Sequence, residues 1–192
     1  LIEEHIKSLF FGLVNPEDKH HFQNVKSFQD RIITVNIPYV LDYNTEVEIY
    51  KNKFGESITE LFLPRVLENF AKIIVSSRME LDSPAFRNWI SNPQKYSKYL
   101  DRNMLLLKMS VYTGKIPSWL SEEDEKRFDR NTRKACIATA ENEGRKGISG
   151  RMSLNVFNTF YSKHASEGKM ITMECVKDYF MKKIAAPPFS EI

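Results

Sequence analysis

The sequence contains few of the residues on which metal sites and disulfide frameworks depend. It has two cysteines, Cys136 and Cys175, and four histidines, and none of them shows metal-ligand spacing. Two distant cysteines are typical of reduced thiols in a cytosolic protein, so we expect a cytoplasmic location and no metal site. No apolar run approaches the roughly 20 residues that cross a bilayer, so we expect no membrane partner.

The motifs of self-sufficient enzymes are missing as well. The sequence contains no G-x-x-x-x-G-K-[ST], G-x-S-x-G or H-E-x-x-H, and no H-R-D or D-F-G triplet. Its net charge of +3 is too small to indicate nucleic-acid binding. The 42% hydrophobic and 28% charged residues are ordinary for a globular chain.

Because the chain opens with Leu1 in an apolar context, we expect it to be a piece of a longer protein.

The order of patterns along the chain predicts a mainly α protein with a small α/β remnant of about two strands. Apolar segments at 8–14 and 32–37 have strand length or strand alternation, and a proline closes the second. Two strands cannot form a stable sheet layer alone. We therefore expect them to be the last strands of a larger parallel sheet. Helical patterns follow at 45–54, 58–78, 83–90, 92–111, 121–143, 149–163 and from 172 to before Pro187.

Two polar residues lie beside the predicted strands. Arg31 directly precedes the second strand, where it is either a surface partner of Asp30 or a cation placed to meet an anion. Asn15 follows the first strand, and ligand crevices of open α/β sheets lie beyond such carboxyl ends. Asn15 is either part of an Asn-Pro turn or a group that orients a water or phosphate oxygen.

A third candidate, Arg151, falls in the first turn of the helix that Ser149 is predicted to cap. A cation is unfavourable there by roughly 0.3–1 kcal/mol, because that end of a helix is already positive, and the same end attracts phosphate. Arg151 therefore either points into water or is held in place to meet an anion.

Together these segments resemble a known family. SLFFGLVNPED (8–18) and SFQDRIITVNIPYVLDYNTEVEIYK (27–51) look like the end of the AAA+ ATPase module of PrkA-type serine protein kinases. GISGRMSLNVFNTFY (147–161) is similar to that family's glycine-x-Ser-x-Arg segment, which opens a helix. Within 27–51, the residues that match the family pattern are Phe28, Asp30, Arg31, Ile32, Pro38, Tyr39, Glu48, Ile49 and Tyr50.

The resemblance implies roles for the three candidates. Asn15 matches the sensor-1 position, which orients the attacking water, and Arg31 matches an arginine finger that reaches a nucleotide on a neighbouring subunit. Arg151 matches sensor 2, which contacts the γ-phosphate in cis. The implied cofactor is ATP with Mg²⁺, and the implied partners are a protein substrate and further copies of the chain.

The implied organisation is the end of an AAA+ α/β core at 1–42, a helical lid-like module at 43–166 and a carboxyl-terminal helix and tail at 167–192. Walker A and Walker B are absent, so we expect this chain to bind nucleotide weakly and to catalyse nothing alone. Two alternatives stay open at this point: an ATP-driven remodelling or protease-like machine, and a helical interaction module without a nucleotide role.

Overall fold

The computed structural model describes residues 11–14 and 33–184. The chain divides into two compact units, Leu1–Ile37 and Pro38–Ile192. In the first unit, the described parts of the two predicted strands, 11–14 and 33–37, form no strand. Their apolar side chains are exposed, including Phe11 at 88% and Ile33 at 92%. Strand alternation specifies which side chains share a face, but a strand also needs a hydrogen-bonded neighbour.

The second unit is built from helices, which confirms the prediction of a mainly α protein. Short 3₁₀ segments lie at Glu56–Leu61, Pro93–Tyr96 and Ala140–Asn142. The α-helices are α1 (Tyr43–Phe54), α2 (Val66–Ser76), α3 (Pro84–Trp89), α4 (Leu105–Tyr112), α5 (Glu122–Arg127), α6 (Arg130–Thr139), α7 (Gly150–Glu167) and α8 (Met173–Ile184). None of the helices in the described part of the chain is long and apolar enough to cross a membrane.

Side-chain caps fix where several helices begin. The carboxylate of Asp42 accepts a hydrogen bond from the backbone N–H of Asn44 at the start of α1. Ser121 caps α5, and Ser149 caps α7 as the sequence predicted. Such caps satisfy backbone N–H groups that have no partner within the helix, and each contributes about 1 kcal/mol.

The long helix predicted over 58–78 is wrong in its first half. Residues 56–61 form a 3₁₀ helix, and α2 begins only at Val66. Between them the backbone turns to the left-handed conformation at Arg65, with φ of 67°. Phe62 and Ile171 form a parallel β-bridge, in which the N–H of Leu63 donates to the carbonyl of Ile171 at 3.0 Å. This pairing across the chain replaces the helical hydrogen bonds that the apolar spacing had suggested.

Two other predicted helices are also divided. In 92–111, the Asp101 carboxylate accepts from the N–H groups of Asn103, Leu105 and Leu106, so that α4 begins afresh at Leu105. In 121–143, Asp129 caps a new helix by accepting from the Thr132 N–H at 2.7 Å. Both breaks are made by aspartates, whose short side chains compete with the helix for backbone donors.

The core consists of two main apolar clusters. The first joins α1, α2, α7 and α8 around aromatic rings, with Tyr50 stacked on Phe157 at 4.3 Å between centroids. The second joins α3, α4 and α6 around Trp89, whose indole N–H donates to the Asp124 carbonyl at 2.7 Å. The segment 143–149, which leads into α7, runs beside the carboxyl-terminal end of α2.

Candidate functional site

The glycine-containing segment before α7 lies directly on the end of α2. A Cβ atom on Gly147 would lie 2.1 Å from the carbonyl oxygen of Ser77, and the backbone φ of Gly147 is 87°. Both the contact and the left-handed conformation require glycine at this position. The N–H of Ile148 donates to the Ser77 hydroxyl at 3.1 Å, which fixes the segment against α2.

A buried ion pair lies beneath this segment. Arg78 donates to the Glu46 carboxylate through both terminal nitrogens of its guanidinium, with Nη1 2.8 Å from Oε2 and Nη2 3.2 Å from Oε1. The two side chains are 0% and 2% exposed. Arg78 also donates to the carbonyl oxygens of Ile148 at 2.8 Å and Val40 at 2.7 Å. Arg78 therefore ties α1 and the segment before α7 to the end of α2.

The first turn of α7 joins the same network. Ser153 is fully buried, and its hydroxyl donates to Oε1 of Glu46. The phenol of Tyr50 and the Ser153 hydroxyl are 2.7 Å apart. Burial, and secondarily the charge of Glu46, raise the pKa of Tyr50, so its phenol stays protonated. Because its buried polar groups are satisfied, this network holds the start of α7 in one orientation.

A second buried pair fixes the beginning of the same segment. The Lys108 ammonium lies 2.5 Å from Oε1 of Glu143, and the two side chains are 0% and 2% exposed. Lys108 also donates to the carbonyl oxygen of Glu80 at 2.6 Å. The Tyr112 hydroxyl donates to Glu143 at 3.1 Å, and burial of this phenol raises its pKa. The segment leading into α7 is thus anchored at both ends by a buried charge pair.

Arg151 projects from this anchored turn toward solvent. It occupies the second position of α7, whose N-cap Ser149 accepts from the Met152 N–H at 3.2 Å. Its side chain is exposed, and it forms no ion pair or hydrogen bond with the residues that the structure describes. Two further exposed cations, Arg145 and Lys146, precede it on the same segment. The arrangement presents positive charge beside the amino-terminal end of a helix, which is suited to an anion.

The structure locates only one of the three predicted site residues. Arg151 lies at the start of α7 as expected, whereas Asn15 and Arg31 fall outside the described residues. Their roles, and that of Arg151 toward a nucleotide, stay predictions. Across 11–14 and 33–184, no group of three or more His, Cys, Asp or Glu side chains is arranged to hold a metal ion.

The residues that fix the start of α7 could not be identified from local sequence patterns. Glu46 and Arg78 are 32 positions apart, and Ser153 is 107 positions from Glu46. Nothing in their local patterns identifies them as partners, since a charged residue in an amphipathic helix normally faces water. The glycine at 147 was the one local signal, because glycine often marks a close backbone approach.

Comparison with known families gives a match in the second half of the chain. Residues 106–190 match the family described as the PrkA serine protein kinase C-terminal domain. The matched range includes α7 and Arg151. No curated protein and no solved structure matches the chain significantly.

Proposed function

We propose, on the premise that residues 106–190 belong to the PrkA serine protein kinase C-terminal domain family, that this chain is part of a PrkA-like serine/threonine protein kinase. In the complete protein, an AAA+ module would bind ATP and drive phosphoryl transfer to a protein substrate. The chain would supply the helical part that closes over the nucleotide.

The observation that carries this proposal is the placement of Arg151. It lies inside the matched range, it is exposed, and it stands on a helix turn fixed by the Glu46–Arg78–Ser153 network. A cation in the first turn of a helix opposes the helix dipole. A bound phosphate would accept hydrogen bonds from the guanidinium and would be stabilised by the positive end of the helix.

Arg151 would act by donating hydrogen bonds to phosphate oxygens. A hydrogen bond between charged groups contributes about 1.5–3 kcal/mol, which is roughly ten- to a hundred-fold in affinity. A guanidinium suits this task because its fixed fork of N–H donors matches phosphate geometry. The buried network keeps the helix turn in place, so little backbone entropy is lost when the contact forms.

The residues of this chain fit only part of a nucleotide site. Arg151 offers a donor for the terminal phosphate, but the sequence lacks the glycine-rich loop and lysine that cradle the other phosphates. Those groups, together with the ligands for Mg²⁺, would come from the rest of the protein. Arg31 would act in trans on a neighbouring subunit, which implies a homo-oligomer. Asn15 would orient the attacking water.

The test follows the γ-phosphate of ATP in the full-length protein. Radiolabelled ATP is incubated with the protein and a serine-containing substrate protein such as casein, and labelled protein is measured beside free phosphate. We expect labelled phosphoserine. If Arg31 is an arginine finger, the rate of labelling should fall about 10³–10⁵-fold in the Arg31→Ala variant. Arg133→Ala, which removes an exposed arginine from α6, should leave transfer unchanged.

The outcomes separate the alternatives. Release of free phosphate without phosphoserine would support an ATP-driven remodelling machine instead of a kinase. Unchanged activity in both Arg31→Ala and Arg151→Ala would support a helical interaction module in which these arginines are ordinary surface charges.

A further inference from the structure

A small pocket lies away from Arg151, where the start of α1, α2 and α4 meet the segment around Trp119. Its volume is about 200 Å³. Aromatic rings from Tyr43, Tyr99 and Trp119 line it, together with the side chains of Lys72 and Met109. We propose that this pocket binds a small planar aromatic carboxylate.

The aromatic residues offer a flat ligand the outer face of a stacked pair of rings. Tyr99 and Trp119 stack nearly in parallel, with an interplanar angle of 5° and 5.5 Å between centroids. Tyr99 is 47% exposed, so the stacked pair borders solvent at the pocket. Tyr43 contributes a further ring from the first turn of α1. Offset stacking on such surfaces favours an aromatic ligand beyond the effect of apolar burial.

Lys72 gives the pocket its charge preference. Its ammonium lies 4.6 Å from the centroid of the Tyr43 ring and is half-buried. Burial lowers the pKa of Lys72, the charge of Glu68 opposes that shift, and Arg65 adds to it. Among the residues that the structure describes, Lys72 forms no ion pair and no hydrogen bond. A bound carboxylate would give this partly desolvated cation an anionic partner.

The volume limits the size of the ligand. An apolar cavity of about 150 Å³ is large enough for benzene. A pocket of about 200 Å³ therefore has space for one aromatic ring and a carboxylate, but not for a nucleotide. Typical sites for drug-sized ligands have about 300–1,000 Å³. The size of the pocket and the one cation among its described lining residues, Lys72, together point to a one-ring monoanion.

Benzoate and its neutral analogue benzamide provide the test. Each is titrated into the full 192-residue chain while the indole N–H resonances of Trp119 and Trp89 are followed by NMR. We expect saturable shifts of Trp119 with benzoate, with Trp89 unmoved because that side chain is 2% exposed in the second apolar cluster. Benzamide should bind at least about ten-fold more weakly, since it cannot form a charge-assisted contact with Lys72.

Three variants locate the site. Lys72→Met should weaken benzoate binding at least about ten-fold, whereas Lys72→Arg should retain it. Lys183→Met is the matched control, because Lys183 also lies over a tyrosine ring, 5.8 Å from the centroid of Tyr179, but outside the pocket. The proposal is overturned if Trp119 shows no saturable shift up to the solubility of benzoate. It is also overturned if benzamide matches benzoate, or if Lys72→Met binds like the unmodified chain.

Discussion

The buried ion pair between Arg78 and Glu46 is expected to contribute strongly to the free energy of unfolding. Replacing Glu46 with alanine removes the carboxylate that contacts both Nη atoms of Arg78 and accepts the hydroxyl of Ser153. Arg78 is fully buried and keeps only its contacts to the carbonyl oxygens of Ile148 and Val40. The substitution therefore leaves an uncompensated charge in the interior.

Breaking one side of a buried ion pair costs about 3–5 kcal/mol. That loss would be a large part of the roughly 5–15 kcal/mol that stabilises a typical domain. Glu48→Ala is a matched control on the same helix, because Glu48 is 55% exposed and pairs with Lys51 at 2.9 Å on the surface. Removal of such a surface pair costs about 0–1 kcal/mol.

Equilibrium unfolding in urea, followed by far-ultraviolet circular dichroism, measures both substitutions. The double variant Glu46→Leu with Arg78→Met should lose less stability than Glu46→Ala, because no unpaired charge remains in the interior. Its recovery should be partial, because the carbonyl oxygens of Ile148 and Val40 and the hydroxyl of Ser153 lose these partners. Equal losses of stability in Glu46→Ala and Glu48→Ala would contradict this expectation, since the buried network would then contribute no more than a surface contact.

Two further predictions concern the segment before α7 and the second apolar cluster. Gly147→Ala should lower the free energy of unfolding clearly more than Gly114→Ala. Gly114 also has a positive φ, but it has open space around it, so its substitution should cost about 1–2 kcal/mol. Similar losses for the two variants in urea unfolding would contradict the close contact at Gly147. The hydrogen bond from Tyr96, followed by that from Ser121, lowers the pKa of Asp124 below its ordinary 3.8. The stabilisation from this carboxylate is present above pH 3.8 and is lost as the pH falls through the lowered pKa of Asp124. Asp124→Asn should therefore make the free energy of unfolding decrease less steeply in acid. An unchanged slope would contradict this prediction.

The sequence predicted burial better than it predicted hydrogen bonding. The apolar spacing over 58–78 correctly identified buried side chains, including Ile58, Phe62 and Phe70. It did not identify the bridge from Phe62 to Ile171, because that pairing joins residues more than a hundred positions apart. Periodicity reports which residues face the interior, whereas the partner of each backbone group depends on the tertiary structure.

In the candidate site, too, local features could be predicted from the sequence, whereas contacts between distant residues could not. Local signals alone correctly placed Ser149 as the N-cap of α7 and Arg151 in its first turn, since capping preferences operate within a few residues. The support from Glu46, Arg78 and Ser153 depends on residues brought together by folding. The described parts of the predicted strands, 11–14 and 33–37, show that alternation without a neighbouring strand does not specify a sheet.

Arg151 is proposed to contact the terminal phosphate of ATP. The most direct test of this contact compares the affinities of the full-length protein for ATP and ADP by calorimetry, with and without Arg151→Ala. We predict that the substitution weakens ATP binding about ten- to a hundred-fold and ADP binding far less, with Arg133→Ala affecting neither. An equal effect on both nucleotides, or none on either, would contradict the claim.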